Sequence, residues 1–181
     1  GRVMGDRISP RRALAMRRAL LRDKLQQLNA EVSDVKLGGT TPNKDALVPH
    51  VFGELFNMTP LLTNPATLEY QAHYGTAESI PEVRDDGLKV DVTMNLAAGK
   101  FNLVRAPAGA ITCDVQGNAT GGYVNTVSLL VQRLATGYGK SVGRFTSADL
   151  DEAQLAAFDA ANPQPVGLLI EDRMNVLNAC K

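Results

Sequence analysis

The sequence predicts an α+β fold: an antiparallel β-meander followed by a helical segment, with a basic helix at the N-terminus. Three observations predict it. Apolar residues recur at every second position through residues 47–117, the spacing of half-buried strands. Past Gly117 the spacing lengthens to that of a helix. Strands gathered in one block and helices in another give segregated layers instead of alternating βα units. The expected organisation is a basic arm and helix over residues 1–37, the meander over 38–117, and a helical segment with one short strand over 118–181.

Each element has a local cause. Ser9-Pro10 suits an N-cap and first turn, and Leu14, Leu21, Leu25 and Leu28 then recur at helical spacing with arginines between them. That predicts a helix over residues 10–29, although Leu14, Met16 and Leu20 also fit a strand feeding a shorter helix. Residues 31–46 are polar, contain Gly38-Gly39-Thr40-Thr41-Pro42-Asn43, and mark a boundary. Val48, Val51 and Phe52 form a short apolar stretch before Gly53. Leu68, Tyr70 and Ala72 alternate with Glu69, Gln71 and His73, which puts His73 on the polar side of its strand. Residues 80–84 and 88–94 flank Asp85-Asp86-Gly87, a hairpin signal because both turn positions must tolerate positive φ. Residues 100–105 and 110–115 flank Ala106-Pro107-Ala108-Gly109, a second expected hairpin.

In the helical segment, Val124, Val127, Leu130, Val131 and Leu134 make one apolar stripe, with Gly137 as the residue that ends the helix. Residues 147–161 predict a second helix. Asp149, Asp151 and Glu152 lie at its positive end, and Leu155 and Phe158 supply its buried face. Asn162-Pro163-Gln164-Pro165 stops it, and Val166, Leu168 and Ile170 form a short strand. Asp172 is the expected N-cap of a last helix that reaches Lys181 without a stop signal, which reads as a helix cut short in a longer polypeptide.

Composition narrows the function classes. With 44% apolar residues over 181 positions, the chain can bury a core and is not intrinsically disordered. Nineteen basic residues balance nineteen acidic ones, so the chain as a whole has no net attraction for nucleic acid or an anionic membrane. Aromatic residues are 5% and Trp is absent, which argues against stacking platforms for bases or sugars. No apolar run reaches eighteen residues, so no membrane anchor is expected. The charge is nevertheless polarised. Residues 1–24 hold eight basic and two acidic side chains, a net +6 arm, and the remainder is a net −6 body. Arg11, Arg12, Arg17, Arg18 and Arg22 are the candidate interface residues, docking on an acidic neighbour in the same chain or an adjacent subunit. Phosphate is the rival ligand for such a face.

The candidates for chemistry each have a structural reading. Gly137-Tyr138-Gly139-Lys140-Ser141 ends like a phosphate-binding loop, but Leu134 stands where the first glycine is required and the string closes a helix. His50 and His73 have no nucleophile beside them in sequence, and read as surface or hydrogen-bonded histidines. Asp85-Asp86, Asp149 with Asp151-Glu152, and Glu171-Asp172 suit a turn, a helix start and a cap. Cys113 alternates with Ile111 and Val115 and reads as a buried thiol. Cys180 lies 67 positions on, and neither has metal-ligand spacing. No catalytic, cofactor-binding or metal residue is assigned, no cofactor is expected, and the chain is not read as an enzyme.

Several strings, in order, resemble those of tail-tip and baseplate hub proteins of long-tailed bacteriophages. Pro49-His50-Val51-Phe52-Gly53 leading into Asn57-Met58-Thr59-Pro60 matches a Pro-x-x-Phe-Gly-x-x-x-Asn-x-x-Pro stretch, and Tyr70-Gln71-Ala72-His73-Tyr74-Gly75 is similar to a second strand. Glu82-Val83-Arg84-Asp85-Asp86-Gly87 resembles the family hairpin. The strings from Ala108 to Gly117 and from Phe158 to Gly167 continue the order. The resemblance covers roughly residues 24–181 and implies a strand around residues 13–20. It implies a structural part of a virion tail tip, assembled in the bacterial cytoplasm. Such proteins form a closed ring, often threefold, at the distal end of the tail tube. The implied partners are other phage tail proteins and copies of the chain itself as a homo-oligomer, with a trimer favoured. DNA is touched only in passing, and no catalytic residues come with the family. The alternatives are a cell-wall hydrolase domain on a phage tip and a nucleic-acid-binding module using the arginine arm.

Overall fold

The computed structural model describes residues 31–136 and 145–180, together with positions 9, 11, 12, 14–16, 18, 19, 26 and 28. Arg11, Arg12, Leu14, Ala15, Met16, Arg18, Ala19 and Gln26 are helical. The Ser9 hydroxyl accepts a hydrogen bond from Arg12 N at 3.4 Å, the N-cap arrangement that starts such a helix. At these positions the helix is found, not the strand.

Nine strands follow among the described residues: β1 (His50–Met58), β2 (Leu61–Asn64), β3 (Glu69–Gln71), β4 (Ala77–Asp85), β5 (Leu88–Lys89), β6 (Val92–Asn95), β7 (Lys100–Leu103), β8 (Ile111–Asn118) and β9 (Gly167–Ile170). The helices of the C-terminal segment are α1 (Val127–Thr136), α2 (Glu152–Ala161) and α3 (Val176–Ala179). All strand pairs are antiparallel, as the alternation predicts. They divide into two sheets, ordered β5-β4-β8-β1-β9 and β2-β3-β7-β6. The fold is α+β.

The two sheets face each other. One core joins Val51, Met58, Ile80, Val83, Ile111, Cys113 and Val115 of the first sheet to Tyr70, Phe101 and Leu103 of the second. Tyr70 and Phe101 are stacked with ring centroids 5.5 Å apart. A second core lies on the opposite face of β1 and β9. There Phe52 and Ile170 meet Leu28, Val32, Leu130, Leu134 and Val176. Successive side chains of a strand point to opposite faces, so Val51 enters one core and Phe52 the other. β1 is thus the common wall of both. Phe52 is fully buried, and Phe52→Ala is expected to cost about 3 to 4 kcal/mol, read as a lowered urea midpoint.

Turn chemistry explains one expected hairpin and overturns the other. Asp86 and Gly87 have φ of 49° and 82°, and Asp85 pairs with Leu88, as the Asp-Gly signal requires. The run from 88 to 94 is not one strand, however. It breaks after Lys89, and its second half joins the other sheet as β6. Residues 100–105 and 110–115 do not form a hairpin, because β7 pairs with β3 and β6 while β8 pairs with β4 and β1. The physical reason is the Asp85 carboxylate. It accepts hydrogen bonds from Ala108 N and Gly109 N, both at 2.7 Å, and draws the loop to the β4 end. Asp85→Ala is expected to cost about 1 to 2 kcal/mol and to speed amide exchange at Ala108 and Gly109.

The expected second helix is also divided. A 3-10 turn, Ser147–Asp149, carries a capping box between Thr146 and Asp149, and α2 starts afresh with Asp151 accepting from Gln154 N at 3.0 Å. Phe158, expected on a buried face, is 49% exposed, and α2 has no buried residue. The last helix is capped by Asn175, whose side chain accepts from Asn178 N, and not by Asp172. Gly137 and the string to Ser141 lie outside the described residues.

Candidate assembly interface

The arm and the body present opposite charge. Arg11, Arg12 and Arg18 are exposed on the N-terminal helix, while Arg17 and Arg22 lie outside the described residues. Leu14 and Met16 are about half exposed among these arginines. Arg11, Leu14 and Arg18 share one helix face by their three- and four-residue spacing. The complementary stretch is residues 145–172, which carries six acidic and no basic side chains. Within it α2 shows Glu152 and Phe158 to solvent.

A second polar surface is the outer face of the five-stranded sheet. A bulge between Leu55 and Met58 shifts the β1–β8 register, and Asn57 at its apex has φ 53°. Asn57 N donates to Asp114 Oδ1 at 2.9 Å. Arg84 grips Asp114 with two hydrogen bonds of 2.8 and 2.7 Å, reaches Asn57 Oδ1 at 2.9 Å, and pairs with Glu82 at 2.8 Å. The Arg84 hydrogen bonds hold the Asp114 carboxyl below the usual carboxylate range, with the Asn57 amide adding to the effect and partial burial opposing it. Ser79 Oγ donates to Gln116 Oε1 at 2.8 Å, and Gln116 Nε2 donates to Glu54 at 3.3 Å. These contacts tie β4, β8 and β1 into one rigid polar panel. Phe56, beside Asn57 in the chain, is 65% exposed. Sequence reasoning missed this panel. The outward phase of Glu82, Arg84 and Asp114 was readable from their apolar neighbours, but the register that brings them together was not.

The residues considered for chemistry are placed as follows. His50 and His73 are both buried, their ring centroids 6.4 Å apart. His73 does not stand on a polar strand face. It follows β3 and turns inward, where its Nδ1 accepts from Val51 N at 3.0 Å. That hydrogen bond fixes the neutral ring with its proton on Nε2. Burial lowers His50 to about 4, and burial together with the neighbouring His50 lowers His73 to about 3, so both are neutral at pH 7. Cys113 is buried and its thiol is pushed up to about 12, mainly by burial, so it stays protonated. Cys113 and Cys180 are both free thiols. Asp85, Asp149 and Asp151 hold backbone or cap positions, as described above. Among the described residues no three His, Cys, Asp or Glu side chains gather in metal-binding geometry.

Two concavities stand out among the described residues. One of about 370 Å³ is lined by Asp85, Lys89, Asp91, Leu103, Val104 and Arg105 at one end of the sandwich. The other, of about 720 Å³, is an open depression between Lys36, Asp45, Pro60 and Arg173. No described helix is long and apolar enough to cross a membrane. Comparison with protein-family models, with curated proteins and with solved structures finds no match to this chain.

Proposed function

We propose that this chain is a structural, hub-like component of a bacteriophage tail tip or baseplate, working by protein–protein assembly at the distal end of the tail tube. It joins other tail proteins and copies of itself, and the resemblance favours three copies in a ring. The observation that carries the reading is the placement of the resembling strings. Residues 49–60, 70–75, 82–87 and 108–117 fall on or beside β1, β3, β4 and β8, which share one core. The string from Phe158 to Gly167 connects α2 to β9 against β1.

Physical features support an assembling part. Among the described residues both sheets end in open edges, β5 and β9 in one and β2 and β6 in the other, and open edges are templates for strand pairing between chains. Charge is segregated between arm and body, which suits contacts between unlike patches of neighbouring subunits. The test is sedimentation of the full chain, alone and with purified tail proteins, alongside a peptidoglycan zymogram. The reading expects micromolar self-association or capture by a tail protein, and no clearing of the cell-wall substrate. A partnerless monomer that clears peptidoglycan makes the chain a hydrolase domain instead.

A further inference from the structure

A ten-residue helix in water is marginal unless tertiary packing holds it. No side chain of α2 is fully buried. Its hydrogen bonds to the body run through Asp159, which accepts from Thr126 Oγ1 at 2.6 Å and from Ser128 N at 3.1 Å. Its sequence is nevertheless written for a covered helix, with Leu155 half buried and Phe158 half exposed on an alanine-rich surface. The surroundings are acidic without relief, since residues 145–172 contain no basic side chain.

The N-terminal helix has the converse character. Arg11 and Arg18 stand exposed on either side of Leu14, which is 52% exposed, on one helix face; Arg12 and Met16 lie on the other. Apolar side chains ringed by cations match apolar side chains ringed by carboxylates. Leu14 is open and no side chain of α2 is fully buried, so the described residues of the arm leave the apolar face of α2 uncovered.

We propose that α2 is the docking site for the basic helix of a second copy of this chain. Leu14 packs on Leu155 and Phe158, and Arg11 and Arg18, which share its helix face, meet Glu152 and the acidic side chains around it. The contact joins two different patches, so it runs head to tail and closes into a ring if the rotation allows. It rests on the reading of the chain as a self-assembling part, and it names the surfaces that do the assembling.

A charge-swap experiment on the full chain tests it. One variant carries Arg11→Glu and Arg18→Glu. The other carries Glu152→Lys and Gln154→Lys, both at exposed positions that cap nothing. Sedimentation velocity is run on each alone and on the equimolar mixture, with circular dichroism to establish that each is folded. Each variant alone is expected to associate about tenfold or more weakly than the parent, because like charges then face each other. The mixture is expected to regain association, since each reversed patch meets an opposite one. Phe158→Ser, a substitution of an exposed residue, is expected to weaken association without lowering the thermal midpoint. If the parent associates and both variants associate equally well, the docking site is wrong and the tail-tip reading stands. A parent that stays monomeric at about 100 μM, well above the range of specific oligomers, overturns the inference. So does arm reversal that abolishes salt-dependent binding to duplex DNA while leaving self-association intact. In that case the arginines serve phosphate.

Discussion

Gly53→Ala is expected to remove on the order of 4 kcal/mol of stability at 25 °C. Gly53 is the residue at which β1 passes from one pairing to the next. Residues His50 to Gly53 pair with β9, and the register with β8 is set from Glu54 onward. Two constraints meet there. The backbone has φ +66°, a left-handed conformation that costs a non-glycine residue about 1 kcal/mol or more. A Cβ at this position also falls inside van der Waals contact of the Val166 carbonyl oxygen, while Glu54 N donates to that same oxygen at 3.1 Å. Both obstacles are backbone, so no side-chain rotation relieves them. Moving β9 away disturbs Ile170, and with it the core shared with Phe52 and the helices. The combined loss is on the order of 4 kcal/mol, a large fraction of the stability of an ordinary domain. Urea denaturation measures it. A midpoint within experimental error of the parent contradicts the account of β1 as the wall between the two cores.

Acid is expected to destabilise the fold as soon as the pH falls below about 6.5. In the unfolded chain both imidazoles take up protons near pH 6.5. In the folded chain His50 does so only at about 4 and His73 at about 3, because burial penalises the charged ring. Between these limits the unfolded state binds more protons, so stability falls as pH falls. The contribution is intact above pH 6.5 and lost as the folded values are approached. Each imidazole costs about 1.4 kcal/mol per pH unit in that window, so the pair removes roughly 5 kcal/mol by pH 4.5. Asp114 and Glu69, whose carboxyls are held below their ordinary range by Arg84 and Lys100, add their loss only at lower pH. Urea midpoints at pH 7, 6, 5 and 4.5 are expected to drop steadily from pH 6.5. Stability that is flat from pH 7 to 5, or imidazole resonances that titrate near 6.5 in the native protein, contradicts the buried neutral pair.

The sequence carried the local features and not the long-range ones. The alternation through β1, β4 and β8 was visible, and the β4–β5 turn was legible because two adjacent positive φ values demand residues such as Asp86 and Gly87. The partition of strands into two sheets was not. It depends on contacts such as Asp85 to the Ala108 and Gly109 amides, and spacing along the chain says nothing of them. His73 shows the same limit, since a residue on the polar beat of a strand turns inward once the strand has ended. Helical periodicity identified Leu155 and Phe158 as one apolar face of α2, yet periodicity reports which face wants cover and not whether the same chain supplies it. Of the candidate interface, the exposed arginines were legible as a run of like charge. The Arg84–Asp114 panel was hidden because its members lie 30 residues apart.

The most direct measurement of the central claim is gold labelling of phage particles with antibody raised against this chain, viewed by negative-stain electron microscopy. The account predicts gold at the end of the tail that meets the host, on intact particles and on isolated tails. Particles that carry the chain nowhere, or label only on capsids, would contradict it.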